Sequence, residues 1–152
     1  MRATWLVGLA LVRSLPGVAQ TPAPTAFPEP ARVTVAGNDY AFVQIPTTIR
    51  AGPTLFSFEN RGRVRHEMSV MLLRPGVTVQ QVLERGPGAA SSRELSASLI
   101  GLLIARPGES AGGQLFVKLE SGQRYLVICT LKDPPDGKPH AQLGMITSFD
   151  VP

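Results

Sequence analysis

The sequence has few residues that bind metals or form covalent cross-links. Among its 152 residues there are one cysteine, Cys129, and two histidines, His66 and His140. A single cysteine cannot form an internal disulfide, so a fold stapled by disulfides is excluded. No uninterrupted apolar run approaches the length of about 18 residues that a membrane-spanning helix needs. We therefore expect a chain that does not span a membrane.

The charge is only weakly basic. Fifteen basic and 11 acidic residues give a formal net charge of +4, and two of the basic residues, Arg2 and Arg13, lie in an N-terminal segment that we expect to be removed. The remaining charges are scattered and form no long basic run. Nucleic-acid binding is therefore not expected.

The N-terminal 32 residues have the composition of targeting and linker segments. Residues 1–19 combine an early arginine, an apolar stretch and small residues before Gln20, which together predict a signal peptide. Residues 20–32 contain four prolines and predict an extended linker. Residues 33–152 then form the folded domain, and we expect a periplasmic or secreted location.

The folded domain is dominated by short β-favouring runs separated by turn residues. This pattern is typical of an all-β sandwich with at least seven strands. The runs are 33–35, 40–42, 48–49, 54–58, 68–73, 114–119, 124–130 and 146–151.

One central segment has a different pattern. Thr78 and Gln81 have capping-box spacing, and the run ends at Gly86, which predicts a short helix. A second helix is predicted to begin at residues 91–94, because leucines at 95, 99, 102 and 103 recur at helical spacing. We therefore expect a mostly helical insertion at about residues 78–107.

The rare ligand-type residues occur in an informative order. His66 begins a predicted strand, Cys129 ends a later one, and His140 and Met145 follow it. Two imidazoles, one thiolate and a weak axial thioether are the ligand set of a blue-copper electron-transfer centre. A structural zinc site usually uses cysteine pairs, which a lone cysteine cannot provide.

These motifs resemble the cupredoxin (type 1 blue copper) family. The likeness rests on Asn60-x-Gly62-x3-His66, on the strand of residues 125–129, and on His140-x3-Gly144-Met145. It implies a Greek-key β-sandwich with one type 1 copper ion, bound near one end by His66, Cys129, His140 and Met145. It also implies that His140 is the more exposed ligand and the gateway for electrons.

The sequence departs from the family pattern in two places. Ten residues separate Cys129 from His140, more than small blue copper proteins generally have. Glu67 follows the first histidine where many members carry asparagine. If the Glu67 carboxylate points inward, it favours the oxidised metal.

Three functions fit these residues. The first is a one-electron carrier that exchanges electrons with a redox partner protein. The second is copper storage or delivery, in which Met68 and Met71 assist Cu(I), and the third is a metal-free interaction module. An enzyme is not expected, because copper oxidases and nitrite reductases need a second, histidine-rich centre.

Five cations flank the proposed ligands and suggest an acidic partner. They are Arg61, Arg63, Arg65, Lys132 and Lys138. Asp133, Asp136 and Glu67 offset part of this charge. The alternative is an ordinary solvated loop.

Overall fold

Seven of the eight predicted β-favouring runs lie in strands, whereas residues 48–49 make only an isolated bridge from Thr48 to Asp150. The structure, a computed structural model, describes residues 28–86 and 95–152. The strands within these ranges are β1 (Ala31–Asn38), β2 (Ala41–Val43), β3 (Gly52–Asn60), β4 (His66–Leu73), β5 (Ser96–Ala105), β6 (Leu115–Leu119), β7 (Gln123–Ile128) and β8 (Ile146–Val151). The predicted signal peptide, most of the predicted linker and the predicted helix start at residues 91–94 lie outside the described residues.

The strands make two four-stranded sheets. The first has the order β2-β1-β3-β6 and the second has the order β5-β4-β7-β8. β1 and β3 are parallel, and the other pairs are antiparallel. The chain passes between the sheets from β3 to β4, from β5 to β6 and from β6 to β7. The predicted all-β sandwich is confirmed.

The main core lies between the two sheets. Phe56 and Phe58 of β3 face Tyr125 of β7 and Phe149 of β8 in one buried cluster. The rings of Tyr125 and Phe149 stack with centroids 5.3 Å apart. Each fully buried large apolar side chain stabilises the fold by about 1.5–3 kcal/mol, so this aromatic layer fixes how the sheets pack.

A short helix, α1 (Val79–Arg85), covers the outer face of the second sheet. It begins at the predicted capping box, in which Thr78 and Gln81 bond reciprocally. Its buried Val82 joins a second apolar cluster with Leu126 and Ile128 of β7. β7 is therefore apolar on both faces. No helix within the described ranges has the length and hydrophobicity to cross a bilayer.

The helical insertion is shorter than predicted. Residues 96–105 form β5, which pairs with β4 from His66 opposite Ala105 to Leu73 opposite Ser96. The leucine spacing favours a helix only locally, whereas Gly101 weakens a helix and β-branched Ile100 and Ile104 favour a strand. Pairing along all of β4 decides between the two.

Three connections meet at one end of the sandwich, where hydrogen bonds join them to one another. They are the turn between β1 and β2, the loop between β3 and β4, and the long loop between β7 and β8. His66 begins β4, and Cys129 directly follows β7. This end of the sandwich therefore brings together residues that are far apart in the sequence.

The strand assignment of β5 predicts opposite behaviour for two adjacent leucines. Leu103 packs against the main core, whereas Leu102 is 44% exposed. We expect Leu103→Ala to lower the free energy of unfolding by about 2 kcal/mol and Leu102→Ala by less than about 1 kcal/mol, measured by urea denaturation. Similar costs for both would contradict the strand, because a helix places both leucines on one face.

Candidate metal centre

His66 is held by a loop that a buried asparagine ties to the sandwich. The Asn60 side-chain amide donates to the carbonyls of Val64, at 2.8 Å, and Ala105, at 3.1 Å. Its Oδ1 accepts from the backbone N–H of Gly62 at 2.9 Å. These three bonds fix the chain on both sides of the turn, and His66 enters β4 fully buried. The Asn60-x-Gly62-x3-His66 spacing thus has a structural cause.

Gly62 is required by close approach. A Cβ at this position would lie 2.6 Å from Asp39 Oδ1 and 3.0 Å from His66 Nε2. The outer nitrogen of His66, Nε2, is buried and has no hydrogen-bond partner among the described residues. Its inner nitrogen, Nδ1, points toward the other candidate ligands.

The other three predicted ligands lie on one loop that closes on itself. The backbone N–H of Cys129 donates to the Met145 carbonyl at 3.1 Å, and that of Ala141 donates to the Cys129 carbonyl at 2.9 Å. The Met145 N–H donates to the His140 carbonyl at 2.9 Å. His140 begins a 3-10 turn, His140–Leu143. The loop therefore holds Cys129, His140 and Met145 side by side.

Three donor atoms converge inside the protein. His140 Nδ1 lies 3.1 Å from His66 Nδ1 and 3.4 Å from Cys129 Sγ. A ligand atom from each of the three residues lies within 4.8 Å of one from each other residue. All three side chains are buried. The structure thus brings together the predicted histidines and cysteine.

The convergence fits one metal ion. With metal–nitrogen bonds of about 2.0 Å and metal–sulfur bonds of about 2.3 Å, ligand atoms around one ion lie about 3–4 Å apart. The separations of 3.1 Å and 3.4 Å from His140 Nδ1 fall in this range. Imidazole together with thiolate is a donor set that suits copper. The residues present therefore match the donor set of a type 1 copper centre.

Met145 is fully buried, and its backbone bonds to Cys129 and His140 place it next to this cluster. Its Cε would lie 2.8 Å from a Cβ added at Gly37, so the glycine makes room for it. Met68 belongs to the main core and Met71 to the cluster on the outer face, as strand alternation predicts. Core packing accounts for both of these methionines.

Glu67 has a role that the sequence alone does not reveal. Its backbone N–H donates to Cys129 Sγ at 3.4 Å. Its carboxylate accepts from the backbone N–H of Thr130, at 2.8 Å, and from the Thr130 hydroxyl, at 2.7 Å. The Glu67 carboxylate therefore fixes Thr130, the residue after the cysteine. Both of these hydrogen bonds go to the carboxylate and stabilise its negative charge.

The carboxylate that does reach a candidate ligand is Asp133. Its Oδ1 lies 3.1 Å from His140 Nε2, and its Oδ2 accepts from the Tyr40 hydroxyl. The Tyr40 ring packs 5.1 Å from the His140 ring, centroid to centroid. No local sequence pattern connects Tyr40 to a loop 93 residues away. This contact was missed from the sequence.

The two predicted histidine ligands differ very little in exposure. His140 is 1% exposed and His66 is fully buried. Asp133 and Tyr40 cover the outer edge of His140, and the Asp133 side chain is 34% exposed. The path from solvent to the imidazole therefore passes over these two residues.

Burial shifts the pKa values of two of the candidate ligands, Cys129 and His66. It raises the pKa of the Cys129 thiol to about 11. It also lowers the pKa of His66, with a further contribution from the neighbouring His140. Neutral imidazoles keep a lone pair for a metal, whereas the thiol must lose its proton when it binds one.

The cations around the site are partly neutralised. Arg61 pairs with Glu59 at 2.7 Å, and Arg63 pairs with Asp39 at 2.8 Å. The other three are exposed and form no ion pair within the part of the chain that the structure describes: Arg65, Lys132 and Lys138. A surface groove beside the site is lined by Arg65 and Lys132, among others.

The solved structures similar to this chain include three auracyanins. Auracyanin from the photosynthetic bacterium Roseiflexus castenholzii is 18% identical over 80% of this chain and 97% of its own, with a TM-score of 0.54. Auracyanin B is 20% identical over 84% and 93%, with a TM-score of 0.56. Auracyanin A, a "blue" copper protein from Chloroflexus aurantiacus, is 23% identical over 82% and 100%, with a TM-score of 0.51.

Auracyanins are cupredoxins, so the chain has the cupredoxin fold. The resemblance inferred from the motifs is confirmed at the level of the fold. No protein-family model and no curated protein matches the chain.

The buried thiol predicts slow chemical labelling. At pH 8 the metal-free folded protein should react with Ellman's reagent at least about a hundredfold more slowly than the unfolded chain, because a pKa near 11 leaves little thiolate. The thiol has a lower pKa in the unfolded chain than in the folded protein, so the unfolded chain loses this proton at lower pH. The contribution of Cys129 to the free energy of unfolding should therefore be lost as pH rises from about 9 toward 11.

The control carries Ser121→Cys in a Cys129→Ala background. Ser121 is exposed, so this cysteine should react at the unfolded rate. Fast labelling of Cys129 in the folded protein would contradict its placement.

Proposed function

We propose that the chain is a one-electron carrier with one type 1 copper ion, held by His66, Cys129, His140 and Met145. The observation that carries this proposal is the convergence of two imidazole nitrogens and one sulfur within 4.8 Å in a buried pocket. A bound copper ion supplies a one-electron couple between Cu(II) and Cu(I). Met145, buried beside the three, is proposed as the weak axial ligand.

The surrounding residues prepare the site for this role. The backbone N–H of Glu67 stabilises negative charge on Cys129 Sγ. The backbone bonds among Cys129, His140 and Met145 hold three ligands on one loop. A site whose ligands move little when the metal changes charge exchanges electrons with little reorganisation, which suits a carrier.

The burial of the ligands favours a carrier over a delivery protein. His66, Cys129 and His140 are each at most 1% exposed, so an acceptor protein has no direct access to a ligand atom. A metal-free interaction module would not explain why three buried metal-ligating atoms lie within 4.8 Å of one another. Both histidines of the chain lie in this one site, which supports a carrier rather than an enzyme with a second histidine-rich centre.

The proposal extends to location and partner. The N-terminal pattern supports export to the periplasm or outside the cell. Arg65, Lys132 and Lys138 are exposed near the site, which supports an acidic redox partner that docks at this end.

The copper assignment predicts that Cys129→Ser abolishes colour. The wild type should bind one copper per chain and show an intense visible charge-transfer band, because only a thiolate donates charge in this way. The Cys129→Ser variant should lose this band, measured by absorption with metal analysis. A wild type that takes up no copper, or a variant that stays coloured, would overturn the proposal.

Met145→Leu, unlike Cys129→Ser, should change the reduction potential without abolishing copper binding. An apolar residue at the axial position disfavours Cu(II), so the variant should keep copper at a raised reduction potential. Met71→Leu is the matched control, because Met71 lies on the outer face of the sheet, and its potential should be unchanged. Complete loss of copper from Met145→Leu would contradict the axial role.

The docking proposal predicts a charge-dependent rate. Raising ionic strength should slow electron exchange with an anionic redox reagent and not with a cationic one, since salt screens charges beyond about 8 Å. Reversing two charges, in Arg65→Glu/Lys132→Glu, should invert this preference. The control Arg61→Glu changes a cation already paired with Glu59 and should have a smaller effect. Electron-exchange rates that change neither with ionic strength nor with the charge reversal would contradict the docking surface.

A further inference from the structure

The long loop between Cys129 and His140 doubles back over the site. Lys132 and Pro139 form a β-bridge, and the backbone N–H of Gly137 donates to the Asp133 carbonyl at 2.9 Å. The backbone N–H of His140 donates to the Leu131 carbonyl at 2.8 Å. These bonds bring the Asp133 carboxylate to His140 Nε2, at 3.1 Å.

A second element holds the same carboxylate. Tyr40 lies in the turn between β1 and β2 and adopts a positive φ of 63°, a backbone conformation that is uncommon for a tyrosine. Its hydroxyl donates to Asp133 Oδ2, and its ring packs against both histidine rings. The turn and the loop therefore meet at Asp133.

The Asp133 carboxylate can only accept hydrogen bonds, so its contact with His140 favours the tautomer in which Nε2 carries the proton. If Nε2 donates to Asp133, Nδ1 keeps its lone pair, and Nδ1 is the atom that faces His66 and Cys129. Carboxylates that accept from the outer nitrogen of a ligating histidine fix its tautomer and make it a stronger ligand. His66 has no such partner among the described residues.

We propose that Asp133, held by Tyr40, is a positioning residue that orients His140 and places a fixed negative charge beside the metal. This inference rests on the proposed copper site. The negative charge favours Cu(II) over Cu(I) and so lowers the reduction potential. The long loop between Cys129 and His140 thus has a function in this proposal, because it carries the Asp133 carboxylate.

Two substitutions at Asp133 separate its charge from its hydrogen bond. Asp133→Asn keeps an oxygen that accepts from His140 Nε2 but removes the charge, whereas Asp133→Ala removes both. We expect Asp133→Asn to raise the affinity for Cu(I) relative to Cu(II) about tenfold, which is about 59 mV for a one-electron couple. The control Asp136→Asn removes an exposed charge from the same loop and should leave the potential unchanged.

The position of the proton is read by NMR in the diamagnetic Cu(I) protein. The Nε2–H of His140 should exchange slowly with solvent in the wild type and in Asp133→Asn, and quickly in Asp133→Ala. Tyr40→Phe removes the second anchor of the carboxylate and should also speed this exchange.

The outcomes distinguish this inference from the copper proposal. A coloured wild type whose Asp133→Asn variant keeps the same potential would overturn the role of the Asp133 charge. Slow exchange of the His140 proton in Asp133→Ala would overturn the positioning role. Failure of the wild type to bind copper would overturn both this inference and the proposed function.

Discussion

Two imidazole nitrogens and one thiol sulfur converge in the buried interior of the protein. The rest of this end of the molecule depends on that constraint. Burying two imidazoles and a thiol costs free energy unless these groups form hydrogen bonds or bind a metal. Separate bonds hold the loops that carry them. Asn60 fixes the loop that leads to His66, and backbone bonds among Cys129, Ala141, Met145 and His140 close the other loop. The apolar layers on both faces of β7 give these loops a rigid base.

The ligand loop does more than connect two ligands. Its turn brings Asp133 to the outer nitrogen of His140 and, with Tyr40, covers that histidine. Under the proposed function, electrons would cross this covered edge to reach the metal. The exposed cations near the same edge would then favour an acidic partner.

The sequence alone predicts which residues cluster at this end of the sandwich better than it predicts their surroundings. His66, Cys129 and His140 are rare residue types in an informative order, and alternating strands with turn residues predict a sandwich. The strand at residues 96–105 was predicted as a helix, because leucine spacing is a local signal and pairing with β4 is a long-range one. The contact between Tyr40 and Asp133 joins two loops through tertiary structure, so no local pattern reveals it. The burial of His140 follows from the same contact.

X-ray absorption spectroscopy at the copper edge of the copper-loaded wild type tests the central claim most directly, because it identifies the atoms bound to the metal. We expect one copper ion per chain with one sulfur at a short distance and two histidine nitrogens, and loss of the short sulfur distance in Cys129→Ser. A first shell of nitrogen and oxygen alone in the wild type would contradict it.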